Sequence, residues 1–126
     1  MDSDGSIYLA DTFNHVVRKI TAEGVISTIA GTGKPGKNSS KVAVEAKLDT
    51  PTDVAVDKRG NVYIADTDNS CVRKVTPKGA LSTVAGRCGE PGNAGNGGPA
   101  TEALLDRPYG VELDADGALY IADTHN

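Results

Sequence analysis

Residues 51–69 read PTDVAVDKRGNVYIADTDN, and this stretch decides the fold. Its centre, VYIADT at 62–67, recurs upstream as IYLADT at 7–12 and downstream as LYIADT at 119–124. The tyrosine of this hexapeptide recurs after 55 residues (Tyr8 to Tyr63) and again after 57 (Tyr63 to Tyr120). A fixed period of this length indicates a repeat architecture, in which one supersecondary unit is stacked on its neighbours.

Each repeat unit predicts four short β-strands. In the central unit these strands, named a to d, cover residues 52–56, 61–66, 71–76 and 81–85. They are rich in Val, Ile, Tyr and Thr, and turns containing Asp and Gly separate them. Strand b is apolar at successive positions, which is typical of a strand covered on both faces. We therefore predict an all-β fold, a β-propeller segment of four-stranded antiparallel blades.

The repeat alignment divides residues 1–126, which we expect to be part of a single propeller domain. A partial blade with strands b to d covers 1–31, a complete blade covers 51–86, and a partial blade with strands a and b covers 108–126. Glycine-rich inter-blade loops occupy 32–50 and 87–107. Partial blades leave apolar faces open, so we expect further blades of the same propeller, or other copies of the chain, to cover them. The duplication of 2–14 as 114–126 favours further blades.

The central stretch resembles the unit of the NHL-repeat family, Pro-x-Gly-Val-Ala-Val-Asp-x-x-Gly-Asn-Val-Tyr-Val-Ala-Asp-Thr-x-Asn-His-Arg-Ile-Arg-Lys. The likeness covers nearly the whole chain as about two and a quarter repeats, and GGPAT at 97–101 resembles the linker of the family's long-repeat branch. The resemblance implies a propeller, often six-bladed. Asn14-His15 keeps the Asn-His pair of the unit, but Ser70 replaces the histidine in the next repeat. Val16 and Cys71 stand where the family often has its first arginine.

Charge and hydropathy exclude several classes of protein. The chain has 17 acidic and 13 basic residues, a net charge of −4 and 38% hydrophobic residues. The acidic balance argues against nucleic acid as a partner. We expect the basic residues to be solvated strand edges and loops: Arg18, Lys19, Lys34, Lys37, Lys41, Lys47, Arg73 and Lys74. No apolar run is long enough to span a membrane, and no signal peptide is visible, so localisation stays unassigned.

The two cysteines, Cys71 and Cys88, are too few for a disulfide framework and lack the spacing of a zinc site. A hairpin turning at Lys78-Gly79 places Cys71 opposite Gly86, two residues short of Cys88. Disulfides are rare outside oxidising compartments, which favours two free thiols, and a bridge between Cys71 and Cys88 stays an open alternative.

Polar residues recur after strand b, and we interpret them as structural residues of the propeller rim that cap backbone N–H groups. They are Asp11, Asn14, Asp66, Asn69, Asp123 and Asn126. Collective ligand binding by these carboxylates is the alternative. Turn chemistry accounts for Asp2, Asp57 and Asp114 better than a calcium loop does, because no completing Glu follows. His15 and His125 occupy different repeat positions. We therefore expect no catalytic, cofactor-binding or metal-binding residue, and no cofactor.

We expect a non-catalytic scaffold that mediates protein–protein or other macromolecular interaction through its long loops. Candidate contact residues in these loops are Lys34, Lys37, Arg87, Glu90, Asn93 and Asn96. The partner is then a protein or a larger assembly. The alternative is a fragment of a metal-dependent lyase or hydrolase propeller, whose catalytic residues lie outside this chain.

Overall fold

The computed structural model describes residues 4–38, 40–124 and 126, and within them the chain is all-β. Blade 1 consists of β1 (Ile7–Asp11), β2 (Val16–Ile20) and β3 (Ile26–Ala30). Blade 2 consists of β4 (Pro51–Val56), β5 (Val62–Asp66), β6 (Cys71–Val75) and β7 (Leu81–Ala85). Blade 3 consists of β8 (Gly110–Leu113) and β9 (Leu119–Ala122). All neighbouring strands are antiparallel, which confirms the predicted fold class.

Tight turns join β4 to β5 and β8 to β9, and one carboxylate organises each turn. Asp57 accepts hydrogen bonds from the backbone N–H groups of Arg59 and Asn61, both at 2.9 Å. Asp114 accepts the same two bonds from Asp116 and Ala118, also at 2.9 Å. These contacts fix a turn by satisfying its backbone donors locally. Asp2 lies outside the described residues.

Apolar side chains fill the spaces between successive blades. The larger cluster lies between blades 1 and 2, and the smaller one, with Ala65, Val72, Ala85 and Val111, lies between blades 2 and 3. Both clusters include residues of β5, so this strand is covered on both faces, as its sequence predicts. The loop 32–50 contributes three fully buried residues to the larger cluster, namely Ala43, Ala46 and Leu48.

Four short 3-10 turns complete the described structure, at Thr12–Asn14, Ala43–Glu45, Thr67–Asn69 and Ala100–Glu102. Two of them follow the b strands and end at residues in the left-handed region, His15 at φ 58° and Ser70 at φ 56°. Within the described part of the chain, no helix has the length and apolarity that a membrane span requires.

Cys71 and Cys88 form a disulfide bond, so the expectation of two free thiols is wrong. The strand pairing places Cys71 opposite Gly86, as the sequence suggests, because Val72 pairs with Ala85. The chain does not continue straight from there. Gly86 has φ 78°, and its Cα is so close to the Ser70 carbonyl that a Cβ would lie 2.8 Å from that oxygen. This turn brings Cys88 back to a Cα–Cα distance of 5.0 Å from Cys71.

Candidate interaction surface

The carboxylate of Asp66, at the end of β5, is fully buried and accepts three hydrogen bonds. Its donors are the backbone N–H of Asp49 at 2.8 Å, the side-chain amide of Asn69 at 3.0 Å and Nη1 of Arg73 at 3.2 Å. Asp49 belongs to the loop that precedes blade 2. Asp66 therefore ties the end of that loop to the blade it enters.

Burial raises the pKa of Asp66 to about 6, although the Asp49 amide, Asn69 and Arg73 oppose the rise. The carboxyl group is therefore mostly ionised at neutral pH. Its partner Arg73 is 5% exposed, so the expectation that this arginine is solvated is wrong. The reason is that β6 is an interior strand of a four-stranded sheet, and the side chain of Arg73 on this strand forms an ion pair with Asp66 on the neighbouring β5.

Asn69 connects the turn between β5 and β6 to both long loops. Its side-chain amide donates to the Gly36 carbonyl at 2.8 Å, in the loop before blade 2. The backbone carbonyl of Asn69 accepts a hydrogen bond from the Gly89 N–H at 2.7 Å, in the loop after that blade. This asparagine side chain donates to a carbonyl, whereas the sequence suggested an acceptor for backbone N–H groups.

Blade 3 repeats the arrangement. Asp123 accepts from the Asp106 N–H at 2.8 Å, and Asn126 donates to Asp123 and to the Gly92 carbonyl, the latter at 2.7 Å. We call this pair of contacts, from an Asp and an Asn of one blade to the loop that precedes it, the loop clamp. In blade 1, Asp11 contacts the side chains of Asn14 at 2.9 Å and Arg18 at 3.5 Å.

A second set of contacts joins each b–c turn to the start of the next blade. Nδ1 of His15 accepts from the Thr50 N–H at 3.0 Å, and Oγ of Ser70 accepts from the Arg107 N–H at 3.2 Å. Thr50 and Arg107 have φ values of 54° and 52°, so each N–H sits at a sharp bend before strand a. The histidine and the serine thus occupy one structural position. His125 lies outside the described residues.

The candidate contact residues lie on the two long loops. Nζ of Lys37 donates to the Cys88 carbonyl at 3.4 Å, which brings the loops together. The Glu90 N–H closes a turn on the Arg87 carbonyl at 2.9 Å. Lys34, Arg87, Glu90, Asn93 and Asn96 are all exposed. The Lys37 contact joins the two loops directly, and the disulfide and the Asn69 contacts attach them to blade 2, so the loops lie side by side at the rim.

No group of three or more His, Cys, Asp or Glu side chains is placed to hold a metal ion among the residues that the structure describes. The rim carboxylates Asp66 and Asp123 instead use their oxygens to hold backbone and side-chain donors of the chain itself. Sequence reasoning missed the loops as targets of these contacts, because the partners lie 17 to 34 residues apart. The equal spacing of Asp49 from Asp66 and of Asp106 from Asp123 is the signal that could have revealed them.

The chain is similar to several known proteins. The NHL repeat family matches residues 48–75. Human (Homo sapiens) Teneurin-4 is 36% identical over 142 aligned residues, which cover 98% of this chain and 5% of Teneurin-4. The chain thus spans only a small part of the length of this relative.

Two solved structures show the same architecture. A protein of unknown function from Bacteroides thetaiotaomicron is 30% identical, with a TM-score of 0.83 over 95% of this chain and 30% of its own. Virginiamycin B lyase from Staphylococcus aureus is 15% identical, with a TM-score of 0.59 over 96% of this chain and 32% of the lyase. The second likeness is one of fold alone. From the recurring sequence unit, the stacked blades and these matches, we conclude that residues 48–75 are an NHL repeat and that the chain is a segment of a β-propeller.

Proposed function

We propose that the chain is a non-catalytic binding module that presents the loops 32–50 and 87–107 to a protein partner. One observation carries this proposal: the loop clamps, the Lys37 contact and the disulfide hold two glycine-rich loops side by side on a rigid frame. Loops fixed in this way lose little conformational entropy when a partner binds, so more of the contact energy appears as affinity.

The composition of this loop surface supports recognition of a protein. Lys34 and Arg87 supply positive charge, Glu90 supplies negative charge, and Asn93 and Asn96 supply amide donors and acceptors. Such a mixed surface favours directional hydrogen bonds with a partner over binding to a polyanion. Teneurin-4, which matches the whole chain within a far longer protein, supports the role of a module in a larger assembly. The likeness to virginiamycin B lyase brings no activity to this chain.

We also propose that further strands cover blade 3. Its sheet has two strands where blade 2 has four, so among the described residues β9 has no hydrogen-bonded neighbour on its outer side. Tyr120 on this strand is 60% exposed. Further blades of the same propeller would supply the strands, and an additional copy of the chain is the other source.

Photo-crosslinking tests the proposed loop surface. A benzophenone amino acid replaces Asn93 in the rim loop or, as the matched control, Asp116 in the exposed turn between β8 and β9 at the opposite end. We expect a discrete protein adduct from position 93 and none from position 116. The adduct partner is then purified, and replacement of Glu90 and Asn96 by Ala should weaken its binding about tenfold or more.

Equal adducts from both positions, or an affinity that the loop substitutions leave unchanged, would contradict the proposal. A stoichiometric metal ion bound to the purified chain would favour the lyase or hydrolase alternative.

A further inference from the structure

A cleft of about 480 Å³ lies between blades 1 and 2, at the end of the blades opposite the loop clamps. Tyr8 and Lys19 of blade 1 form one wall, and the turns of blade 2 that carry Lys58, Arg59 and Lys78 form the other. The apolar side chains in the lining are Ile29, Val44, Val62 and Val75. We call this cleft the first groove.

The described lining of the first groove carries a net positive charge, although the chain as a whole has a net charge of −4. Four cations line it, with Asp4 as the single carboxylate among the described lining residues. Within the described part of the chain, none of the four forms a salt bridge, unlike Arg18, Arg73 and Arg107. Nζ of Lys19 lies 5.6 Å from the centre of the Tyr8 ring, which positions this charge at the wall of the groove.

The next groove, between blades 2 and 3, shows that the fold does not require this charge. It has about the same volume, about 510 Å³, and repeats the lysine and tyrosine as Lys74 and Tyr63, 6.0 Å apart. Its facing turn carries Ala115 and Asp116 where blade 2 has Lys58 and Arg59. Lys58 and Arg59 also line this second groove, where three carboxylates, Asp57, Asp114 and Asp116, balance them and Lys74.

We propose that the first groove binds a short, extended acidic segment of a protein partner. This site lies at the end opposite the loop surface, so the inference goes beyond the proposed function and assigns a second point of contact with a protein partner. Carboxylates of the segment would pair with the lysines and the arginine, and an aliphatic side chain between them would contact the half-buried Ile29 and the exposed Val44. The volume lies in the range of clefts that hold small ligands, and like-signed cations in a concave site attract acidic partners.

A peptide fits this groove better than a nucleic acid does. Tyr8 is the one aromatic ring among the described lining residues, which leaves no platform for successive bases. A longer polyanion would also meet Asp114 and Asp116 in the neighbouring groove. A short segment avoids both problems.

Binding of a labelled acidic pentapeptide, four glutamates around a central leucine, tests the proposal by fluorescence anisotropy on the full chain. We expect a dissociation constant on the order of 100 µM that weakens with added salt. The variant Lys19→Glu should weaken binding about tenfold, whereas Lys74→Glu should not. The two lysines hold equivalent repeat positions over a tyrosine, which makes them a matched pair. Both substitutions replace Lys by Glu and therefore change the net charge equally.

A second variant keeps the test independent of folding defects. The double substitution Lys58→Ala and Arg59→Asp gives blade 2 the turn that blade 3 already has, with the same backbone hydrogen bonds. We expect it to fold and to lose most of the peptide binding. Equal losses in Lys19→Glu and Lys74→Glu, no binding at about 1 mM peptide, or preferential binding of a uridine decamer would overturn the proposal.

Crosslinking from Asn93 separates this inference from the proposed function, because it reports on the loop surface alone. A partner adduct at position 93 combined with no peptide binding would contradict the groove site and support the binding module. Peptide binding that depends on Lys19, without any loop adduct, would support the groove site and contradict the loop surface.

Discussion

Asp66 and Asp11 show how one residue type acquires different importance in equivalent positions. Each is the last residue of a b strand and contacts an asparagine and an arginine. The side chains of Asp66 and Arg73 are 0% and 7% exposed, whereas those of Asp11 and Arg18 are 28% and 32% exposed. A buried ion pair leaves an uncompensated charge when one partner is removed, and an exposed pair does not.

We therefore expect Asp66→Ala to lower the free energy of unfolding by about 3 to 5 kcal/mol, because Arg73 and the Asp49 N–H lose their acceptor. The matched variant Asp11→Ala should cost less than about 1 kcal/mol. Urea denaturation followed by circular dichroism measures both. Similar losses in the two variants would contradict a special role for the buried carboxylate.

Blade 2 carries its disulfide at a position that blade 1 fills with other residues. Cys71 pairs with Asp66 as Val16 pairs with Asp11, and Cys88 follows Gly86 at the same distance as Gly33 follows Gly31. The glycine turn that makes the close approach is therefore common to both blades, but the covalent bond is particular to blade 2. It joins β6 to the loop 87–107.

Reduction of this disulfide should lower the free energy of unfolding by about 3 kcal/mol, because the bond closes a loop with a sequence separation of 17 and thereby restricts the unfolded chain. The measurement is urea denaturation with and without dithiothreitol. The control is Cys71→Ala combined with Cys88→Ala, whose stability should not respond to the reductant. Two titratable thiols in the untreated, unfolded wild type would contradict the bond.

Local sequence predicted the elements well and the contacts between them poorly. The strands of blade 2 agree with the structure to within one residue, because β-branched runs and Asp-x-x-Gly turns are short-range signals. The clamp from Asn69 to Gly36 and the pairing of Val42 with Ala80 depend on where a long loop passes. No periodicity encodes such paths. The sequence left the disulfide undecided for a similar reason, since the bond depends on the left-handed conformation of Gly86.

At the scale of the whole molecule, the blades are covered unequally. Blade 2 is covered on both faces, with Ile64, Ala65 and Val72 at 0% exposure. In the outer blades, apolar side chains remain exposed, among them Ile7 at 50% and Tyr120 at 60%. Apolar surface that is contiguous with a blade face favours association with another surface.

We expect the 126-residue chain in isolation to self-associate, with a mass above 12.9 kDa that rises with protein concentration. Sedimentation equilibrium at several concentrations measures it. A monomer at every concentration, combined with one sharp thermal transition, would show that the open faces need no cover.

The loop clamps have a consequence for how such a chain can be re-engineered. Each clamp holds a loop near its start and at its end, as Gly36 and Asp49 show in one loop and Gly92 and Asp106 in the other. The first loop cannot be exchanged freely between its anchors, because Ala43, Ala46 and Leu48 fill the space between blades 1 and 2. Between the anchors of the second loop, residues 96–98 are exposed, so a foreign peptide inserted there would be displayed at the rim without any change to the blades.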